Sequence, residues 1–214
     1  MIGSGRFRVI VWIAFADFFT AVALFAFALY GVQRQKEITI EEVVHLFARE
    51  LYAALRKQGL QVEYDVERSR LTLAEAMVFD TNESKLKHPE VVHEIATALK
   101  AVQAANASSW DKTRSFHLVI RGHADARPMS GRTNVQLSQE RARALEDALV
   151  EDGITVPAFQ ISAQGVGESE PKVDNCSPPT RELRTICSAK RYGSDEELAP
   201  NRRIELRFGF FSGS

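Results

Sequence analysis

The sequence predicts an α+β fold: a single N-terminal transmembrane helix, a connecting helix, and then a β/α/β/α/β domain with its helices packed on one sheet. Three observations predict this. The stretch 9–32 is apolar except for one acid, and a helical repeat of apolar residues follows it. From residue 60 onward, alternating and helical stretches give the order β-β-α-β-α-β. Beyond the apolar stretch roughly 180 of the 214 residues remain, enough for one globular domain.

The apolar stretch from Val9 to Val32 holds 24 residues and a single ionisable side chain, that of Asp17. At about 1.5 Å per residue it reaches roughly 36 Å as a helix, which exceeds a hydrocarbon core of about 30 Å. An aspartate at the centre of a spanning helix costs about 2.5 to 3.5 kcal/mol, so a plain anchor is better made with a neutral residue. We therefore expect Asp17 to be functional. The alternative is an acid that only pairs two helices through a hydrogen bond.

A removable signal peptide is the alternative for this stretch. Arg6 and Arg8 precede it, and Ala26-Phe27-Ala28 imitates a cleavage site. However, signal cores run about 7 to 15 residues and need no acid, so a retained single-pass helix is favoured. Basic residues flank both ends of the helix and do not orient it. Residues 1–8 are then expected to be a short cytoplasmic leader.

Both cysteines, Cys176 and Cys187, lie in one late segment rich in Pro, Ser and charged residues. Two cysteines do not complete a zinc site without further ligands, and the five histidines are not clustered beside them. A disulfide is therefore favoured, closing a loop of about a dozen residues and stabilising the fold by about 3 kcal/mol. Such a bond indicates that the C-terminal part lies outside the cytoplasm.

Composition excludes several classes of function. With 27 basic and 28 acidic residues the net charge is −1, which gives no reason to expect a nucleic-acid partner. No set of nucleophile, base and orienting group is recognisable, so no enzyme is expected. We expect neither a bound metal nor a cofactor.

Residues 33–59 are predicted to form an amphipathic linker helix. Thr39 and Glu42 have the spacing of a capping box, and Gly59 offers a left-handed stop. The apolar stripe must bury against the folded domain or against a second copy of the helix. Its members are Ile40, Val43, Phe47, Leu51 and Ala54.

The domain itself is predicted to span 60–214. Its predicted elements are a hairpin of 62–66 and 71–73, a helix over 89–105, a strand over 116–120, a helix over 138–151 and strands over 159–165 and 204–211. The helix over 89–105 has Val92, Ile95, Ala96, Leu99 and Val102 on one face. The segment 172–199, which holds the cysteines, is the one candidate for low order.

A candidate binding site follows the strand that ends in Gly122. Asp125 comes directly after this strand, and Arg141 lies in a helix whose N-cap is predicted to be Ser138. Arg141 would then be near the helix N-terminus, where anions are favoured. With Asn134 the two form a pocket suited to a zwitterion bearing an amine and a carboxylate. The alternative is a structural ion pair between Asp125 and Arg141.

Five ordered motifs give the domain a family resemblance. They are VFDTNESKL (78–86), GHAD (122–125), NVQLSQERARAL (134–145), GVGESEP (165–171) and NRRIEL (201–206). Over about 70–211 the chain resembles the peptidoglycan-binding domain of the OmpA family. The resemblance implies that Asp125 binds the amine of diaminopimelate and Arg141 its carboxylate, with Asp80, Asn134 and Arg202 lining the site. The chain departs from the family pattern at Ala124, where threonine is usual, and in the insertion 172–199.

The span carries a second resemblance. WIAFADFFTAV (12–22) is similar to the signature of MotB-type stator subunits. The resemblance implies that Asp17, assisted by Thr20, carries protons or sodium ions down the proton or sodium motive force. It also implies a homodimer surrounded by five MotA-like subunits in a bacterial inner membrane, with the N-terminus cytoplasmic and the C-terminal domain periplasmic.

The short leader and compact linker resemble ZorB, the MotB-like subunit of Zorya antiphage systems, whose partner is ZorA. A flagellar-type stator subunit is one alternative. The other is a passive tether between membrane and cell wall that transports no ion.

Overall fold

The structure is a computed structural model that describes residues 4–106, 115–128, 131–154, 159–176 and 192–211. Within the first helix, residues 4–17 and 33–40 are described by their backbone alone. By its contacts the chain divides into two units, Met1–Val43 and Val44–Ser214, and each is described on its own.

The secondary-structure elements follow the predicted order. The described helices are α1 (Ser4–Lys57), α2 (Pro89–Asn106), α3 (Asn134–Glu151) and α4 (Asp195–Leu198). The described strands are β1 (Val62–Asp65), β2 (Arg70–Ala74), β3 (Ser115–His123), β4 (Phe159–Gly167) and β5 (Arg203–Phe211). Single 3-10 turns occupy Glu75–Met77 and Ala199–Asn201. The predicted order β-β-α-β-α-β is confirmed from β1 to β4, and the additional short helix α4 precedes the last strand, β5.

One continuous helix, α1, takes the place of the two helices predicted for the N-terminal part. Thr39 and Glu42, which have the spacing of a capping box, both lie inside α1 and do not cap a helix N-terminus. Between the two predicted helices the chain contains Gln, Arg, Lys and Glu and lacks proline. These residues are good helix formers, so nothing interrupts the backbone hydrogen bonds there.

The predicted membrane span falls within α1. Among the residues whose side chains are described, no helix combines the length and the apolar character needed to cross a membrane. Asp17 lies in the part of α1 described by its backbone alone, and Thr20 is exposed. The span at 9–32 therefore stays a prediction.

Five strands form one sheet in the order β1-β2-β5-β3-β4. β3 and β4 run parallel, and the other neighbouring pairs are antiparallel. In this register Leu71 lies opposite Leu206, which lies opposite Ile120. Because side chains alternate along each strand, these leucines and this isoleucine share one face. That face is apolar, and the other carries mostly charged and polar side chains.

The apolar face holds the core of the second unit. Phe47 of α1 contacts Phe116 and Phe208, with ring centroids 4.6 and 5.3 Å apart. The linker stripe thus buries against the folded domain, one of the two predicted possibilities. All five residues predicted for the apolar face of α2 are buried. Among the described side chains of α1 the buried hydrophobic ones are Val44, Phe47, Ala48, Leu51 and Leu55, which match the predicted stripe at Phe47 and Leu51.

Two glycines allow α3 to lie close to the sheet. A Cβ atom on Gly122 would be 2.1 Å from the carbonyl oxygen of Ser138, and one on Gly165 would be 2.6 Å from the amide nitrogen of Gln139. The two glycines face each other across β3 and β4. Only a residue without a side chain fits at either position. This explains why the motifs GHAD and GVGESEP each begin with glycine.

Helix α3 begins four residues earlier than predicted. Its N-cap is Thr133, whose hydroxyl accepts from the amide of Gln136 in a capping box. The prediction that Ser138 is the cap is therefore wrong. Ser138 is buried inside the helix, where its hydroxyl donates to the carbonyl of Val135 and accepts from the amide of Gly167, both at 2.9 Å.

Glu205 lies at the centre of the polar face and is fully buried. Arg70 and Arg207 each donate to its carboxylate at 2.8 Å, and Arg203 donates at 2.9 Å. His123 lies 3.4 Å from the same carboxylate. Burial alone would raise the pKa of Glu205, but His123 and the arginines lower it far below its ordinary range. Sequence reasoning did not identify this cluster.

The described ends of segment 172–199 are held by two buried asparagines. Asn201 accepts from the amides of Lys172 and Val173 at 2.7 and 2.8 Å and donates to Asn175 at 2.9 Å. Cys176 and Tyr192 form an isolated β-bridge. In these parts the expectation of low order is wrong, because the asparagine side chains satisfy the backbone groups. Residues 177–191 lie outside the described residues.

Candidate functional site

A cleft of about 460 Å³ lies where β3 ends. The 3-10 turn Glu75–Met77, the start of α3 and the helix α4 contribute its walls. It combines carboxylates, guanidinium groups and two amides. Its charged and amide lining residues are Glu75, Asp125, Arg127, Arg132, Asn134, Arg141, Asp195 and Arg202, together with Asn82.

Asp125 is positioned by the end of the strand pair. The amide of Ala124 donates to the carbonyl of Gly167 at 2.9 Å, which fixes the backbone just before Asp125. The carboxylate is buried and accepts from Arg127 at 2.7 Å and from Arg202 at 2.9 Å. Burial would raise the pKa of Asp125, but the hydrogen bonds from Arg127 and Arg202 lower it below its ordinary value. Asp125 is therefore an anion at neutral pH.

Arg141 is buried, and its partners come from the segment 75–83. It donates to Glu75 at 2.6 Å and to the carbonyl of Glu83 at 2.7 Å, and its guanidinium lies 5.5 Å from the ring centre of Phe79. Among the contacts of the described residues, none joins Arg141 to Asp125. The alternative prediction of a structural ion pair between these two residues is therefore wrong.

The N-terminus of α3 does not place Arg141 as predicted. Because α3 begins at Asn134, Arg141 is in the helix interior rather than in the first turn. Its long side chain still reaches the cleft. The cationic character of this wall therefore comes from the guanidinium rather than from the helix dipole.

Glu75 and Arg141 form a buried ion pair. Its formation costs free energy because both charged groups are removed from water. Burial raises the pKa of Glu75 even though Arg141 and Arg202 oppose the shift. Burial likewise lowers the pKa of Arg141, against the effect of Glu75. Arg202 also lies 3.4 Å from Glu75, so it connects Glu75 to Asp125.

The structure brings four of the five predicted wall-binding residues to the cleft: Asp125, Asn134, Arg141 and Arg202. Asp80 does not line it. Its carboxylate is 57% exposed and pairs with Lys87 at 2.6 Å, while its carbonyl oxygen lies 3.4 Å from Arg141. Asp80 thus contributes backbone rather than charge to this side of the cleft.

Four charged residues of the cleft were missed by sequence reasoning: Glu75, Arg127, Arg132 and Asp195. Arg127 had a usable signal, since its amide donates to Asp125 two residues earlier, a common aspartate turn. Asp195 follows Ser194, which with Glu197 forms a capping box. Glu75 had no such signal, because it reaches the cleft through the packing of β2 against β5.

The other predicted site residues are not among those lining the cleft, or fall outside the description. Thr20 lies in the first unit, and the side chain of Asp17 is not described. Cys176 is described and Cys187 is not, so the disulfide between them stays a prediction. Among the described residues, no cluster of histidine, cysteine and acidic side chains forms a metal site.

The arrangement is suited to a ligand with charges of both signs. Asp125 offers a buried carboxylate to an ammonium group, while Arg141 and Arg202 offer planar donors to a carboxylate. Fold and cleft together define an α+β binding domain with a mixed-charge cleft at the end of a parallel strand pair.

Residues 78–185 match the OmpA family, and the chain belongs to that family. Outer membrane protein A of Klebsiella pneumoniae is 31% identical over 167 residues, which cover 77% of this chain and 42% of that protein. Outer membrane protein A of Serratia odorifera is 31% identical over 144 residues, covering 66% of this chain and 51% of that protein. The chain thus spans about half or less of the length of these curated relatives.

Solved structures share the fold. The cell wall anchor of the T6SS from Pseudomonas aeruginosa superposes with a TM-score of 0.51 at 24% identity, covering 76% of this chain and 96% of that chain. A MotB-like protein from Desulfovibrio vulgaris superposes with a TM-score of 0.50 at 17% identity, covering 79% and 98%. At these identities the likeness concerns the fold.

Proposed function

We propose that the C-terminal domain binds peptidoglycan, and that the chain is a cell-wall-anchored subunit of an ion-driven stator complex in a bacterial inner membrane. The observation that carries the wall-binding part is the cleft itself, in which the buried Asp125 carboxylate and the guanidinium of Arg141 line one cavity. Membership of the OmpA family supports it. So does the Pseudomonas structure of the same fold, which is described as a cell wall anchor.

The proposed ligand is the diaminopimelate of the stem peptide. Its ammonium group matches the anionic side of the cleft, at Asp125, and its carboxylate matches the cationic side, at Arg141 and Arg202. Asn134 also lines the cleft and supplies an amide. Such charge-assisted hydrogen bonds are roughly twice as strong as neutral ones, and a partly enclosed cleft strengthens them further.

A pull-down tests wall binding. We expect the full-length chain, purified in detergent, to sediment with diaminopimelate-type sacculi, and Asp125→Ala to remain in the supernatant. Asp147→Ala is the matched control, because it removes an exposed aspartate from the far part of α3. Equal retention of the wild type and Asp125→Ala, with both folded, would exclude the site.

The motor part of the proposal rests on the N-terminal stretch. The described side chains from 18 to 32 are all exposed and are mostly apolar, as expected of a surface that faces lipid or other helices. Asp17 is proposed to carry the proton or sodium ion with help from Thr20. Two copies of the chain would pair within a ring of MotA-like subunits. The similarity to ZorB favours a role in antiphage defence.

Asp17→Asn separates a motor from a passive tether. In the native host we expect this variant to be made at the normal level and to lose phage protection, whereas Asp17→Glu retains an acid and part of the function. Full protection by Asp17→Asn would exclude ion transport on Asp17 and leave the passive tether as the proposed function. Loss of swimming instead of loss of protection would assign the chain to a flagellar-type motor.

A further inference from the structure

Both carboxylate oxygens of Asp125 are already bound by a cation of the same chain. Arg127 donates from Nη2 to Oδ2 at 2.7 Å and from Nε to Oδ1 at 3.1 Å. The amide of Arg127 donates to Oδ1 as well, at 3.0 Å. This bidentate arrangement occupies the lone pairs that an incoming ammonium group needs.

A second carboxylate holds Arg127 in this place. Asp195 accepts from Nη2 of Arg127 at 2.8 Å and from Nη2 of Arg202 at 3.2 Å. It lies in the first turn of α4, and Ser194 caps that turn together with Glu197. Arg127 therefore bridges the carboxylates of Asp125 and Asp195, which are 70 positions apart in the chain.

The two guanidinium groups on Asp125 differ in how readily they can leave. The side chain of Arg202 is 14% exposed and is held by Glu75 as well as by Asp195. The side chain of Arg127 is 34% exposed, and among the described residues the one ion-pair partner it has besides Asp125 is the exposed Asp195. Because exposed ion pairs are weak, Arg127 is the group that yields to a competitor.

From these contacts we infer that Arg127 is an internal competitor for the ammonium-binding place on Asp125, and that Asp195 sets how strongly it competes. The inference rests on the proposed function, because it concerns the same site. A ligand binds when Arg127 swings off Asp125, so the apparent dissociation constant is the intrinsic constant divided by the fraction of chains in which Arg127 is displaced. Asp195 lowers that fraction by holding the guanidinium in place.

Two variants of Arg127 test the inference. We expect Arg127→Ala in the full-length chain to bind diaminopimelate-type sacculi about three- to tenfold more tightly than the wild type. Arg127→Lys keeps a cation without the bidentate geometry and is expected to fall between them. Arg143→Ala, which removes an exposed arginine from α3, controls for the change in net charge. Thermal unfolding of each variant confirms that it is folded.

The role of Asp195 is tested in two backgrounds. Asp195→Asn is expected to raise the affinity about two- to threefold when Arg127 is present and not to raise it in Arg127→Ala, since the carboxylate acts through the arginine. Glu196→Gln removes a neighbouring carboxylate of the same turn as a control. An equal gain in both backgrounds would overturn the role of Asp195.

Further comparisons distinguish a failure of this inference from a failure of the proposed function. If the wild type binds and Asp125→Ala does not, but Arg127→Ala binds no better than the wild type, the competitor is refuted while the wall site stands. If neither the wild type nor Arg127→Ala binds, the inference and the proposed wall binding are both refuted. Sacculi with acetylated amines must lose the gain of Arg127→Ala, because the arginine competes with an ammonium group. A gain that survives acetylation contradicts the inference.

Discussion

Arg141 donates a 2.6 Å hydrogen bond to Glu75, a residue 66 positions earlier in the chain, and both side chains are buried. The arginine that lines the cleft is thus also the group that neutralises a buried carboxylate. Its structural and binding roles have to be separated in any mutational test.

Loss of Arg141 is expected to destabilise the domain. In Arg141→Ala, Glu75 keeps Arg202 at 3.4 Å but loses its closest partner, and removal of one member of a buried pair costs about 3 to 5 kcal/mol. Thermal unfolding of the purified chain measures this. The double variant Arg141→Met with Glu75→Leu is the control, because it removes both charges and should recover part of the loss. A double variant as unstable as the single one contradicts this reading.

Glu205 is expected to matter more than any other acid of the sheet. Glu205→Ala leaves the buried guanidinium group of Arg203 without its carboxylate acceptor and removes one of the two acceptors of the half-buried Arg70, so we expect a loss of about 3 to 5 kcal/mol. Glu170→Ala serves as the control, since Glu170 also pairs with Arg121 and Arg207 but its side chain is 48% exposed. Its loss should be within about 1 kcal/mol. Equal losses in the two variants would show that burial of Glu205 is not decisive.

The same carboxylate gives stability a definite dependence on pH. The pKa of Glu205 is lowered in the folded state, so the unfolded chain takes up a proton first as the pH falls. The contribution of Glu205 is therefore complete above the unfolded pKa of about 4.3 and is lost progressively below it. Asp125, whose pKa is also lowered, acts in the same direction. Melting temperatures measured from neutral pH downward should fall below about pH 5, and less steeply in Glu205→Gln.

Gly122 is expected to tolerate no side chain. Its added Cβ would lie 2.1 Å from the backbone of Ser138, so Gly122→Ala must push α3 away from the sheet. Overpacking of this kind costs about 1 to 3 kcal/mol. Gly209→Ala is the control, because a Cβ there meets nothing within 4 Å. A melting temperature for Gly122→Ala equal to that of Gly209→Ala contradicts the close approach.

The predicted bond between Cys176 and Cys187 has a direct chemical test. In chain purified in detergent from the membrane fraction without reductant, we expect alkylation to label neither cysteine before reduction and both after it, read by intact mass. The double serine variant should lose about 3 kcal/mol of stability according to the loop-closure argument. Two labelled thiols without reduction contradict the bond.

The sequence was most informative where local pattern decides the structure. The faces of α2 and the hairpin of β1 and β2 follow from the spacing of apolar residues and were predicted well. The start of α3 was misplaced because Thr133 and Ser138 are both good caps in isolation. What decides between them is tertiary: Ser138 is needed to hold the amide of Gly167.

The charged partners in the cleft were the least predictable part. Asp125, Asn134 and Arg141 were predicted from the end of a strand and the helix that follows it, whereas Arg202 was found through a family motif. The partner of Arg141 was not predicted, because Glu75 and Arg141 lie on elements that meet only after the sheet has formed. The spacing of residues along the sequence does not predict such a contact.

The β-bridge between Cys176 and Tyr192 has a practical consequence for redesign of the chain. It holds Cys176 and Tyr192 close together, and a connection between two residues that already lie close can change length at little entropic cost. Insertion of a short peptide tag between 178 and 186, which keeps Cys176 and Cys187, should leave Asn175 and Asp195 in place. This position is therefore a suitable point for attaching a fluorophore that reports on the neighbouring cleft without filling it.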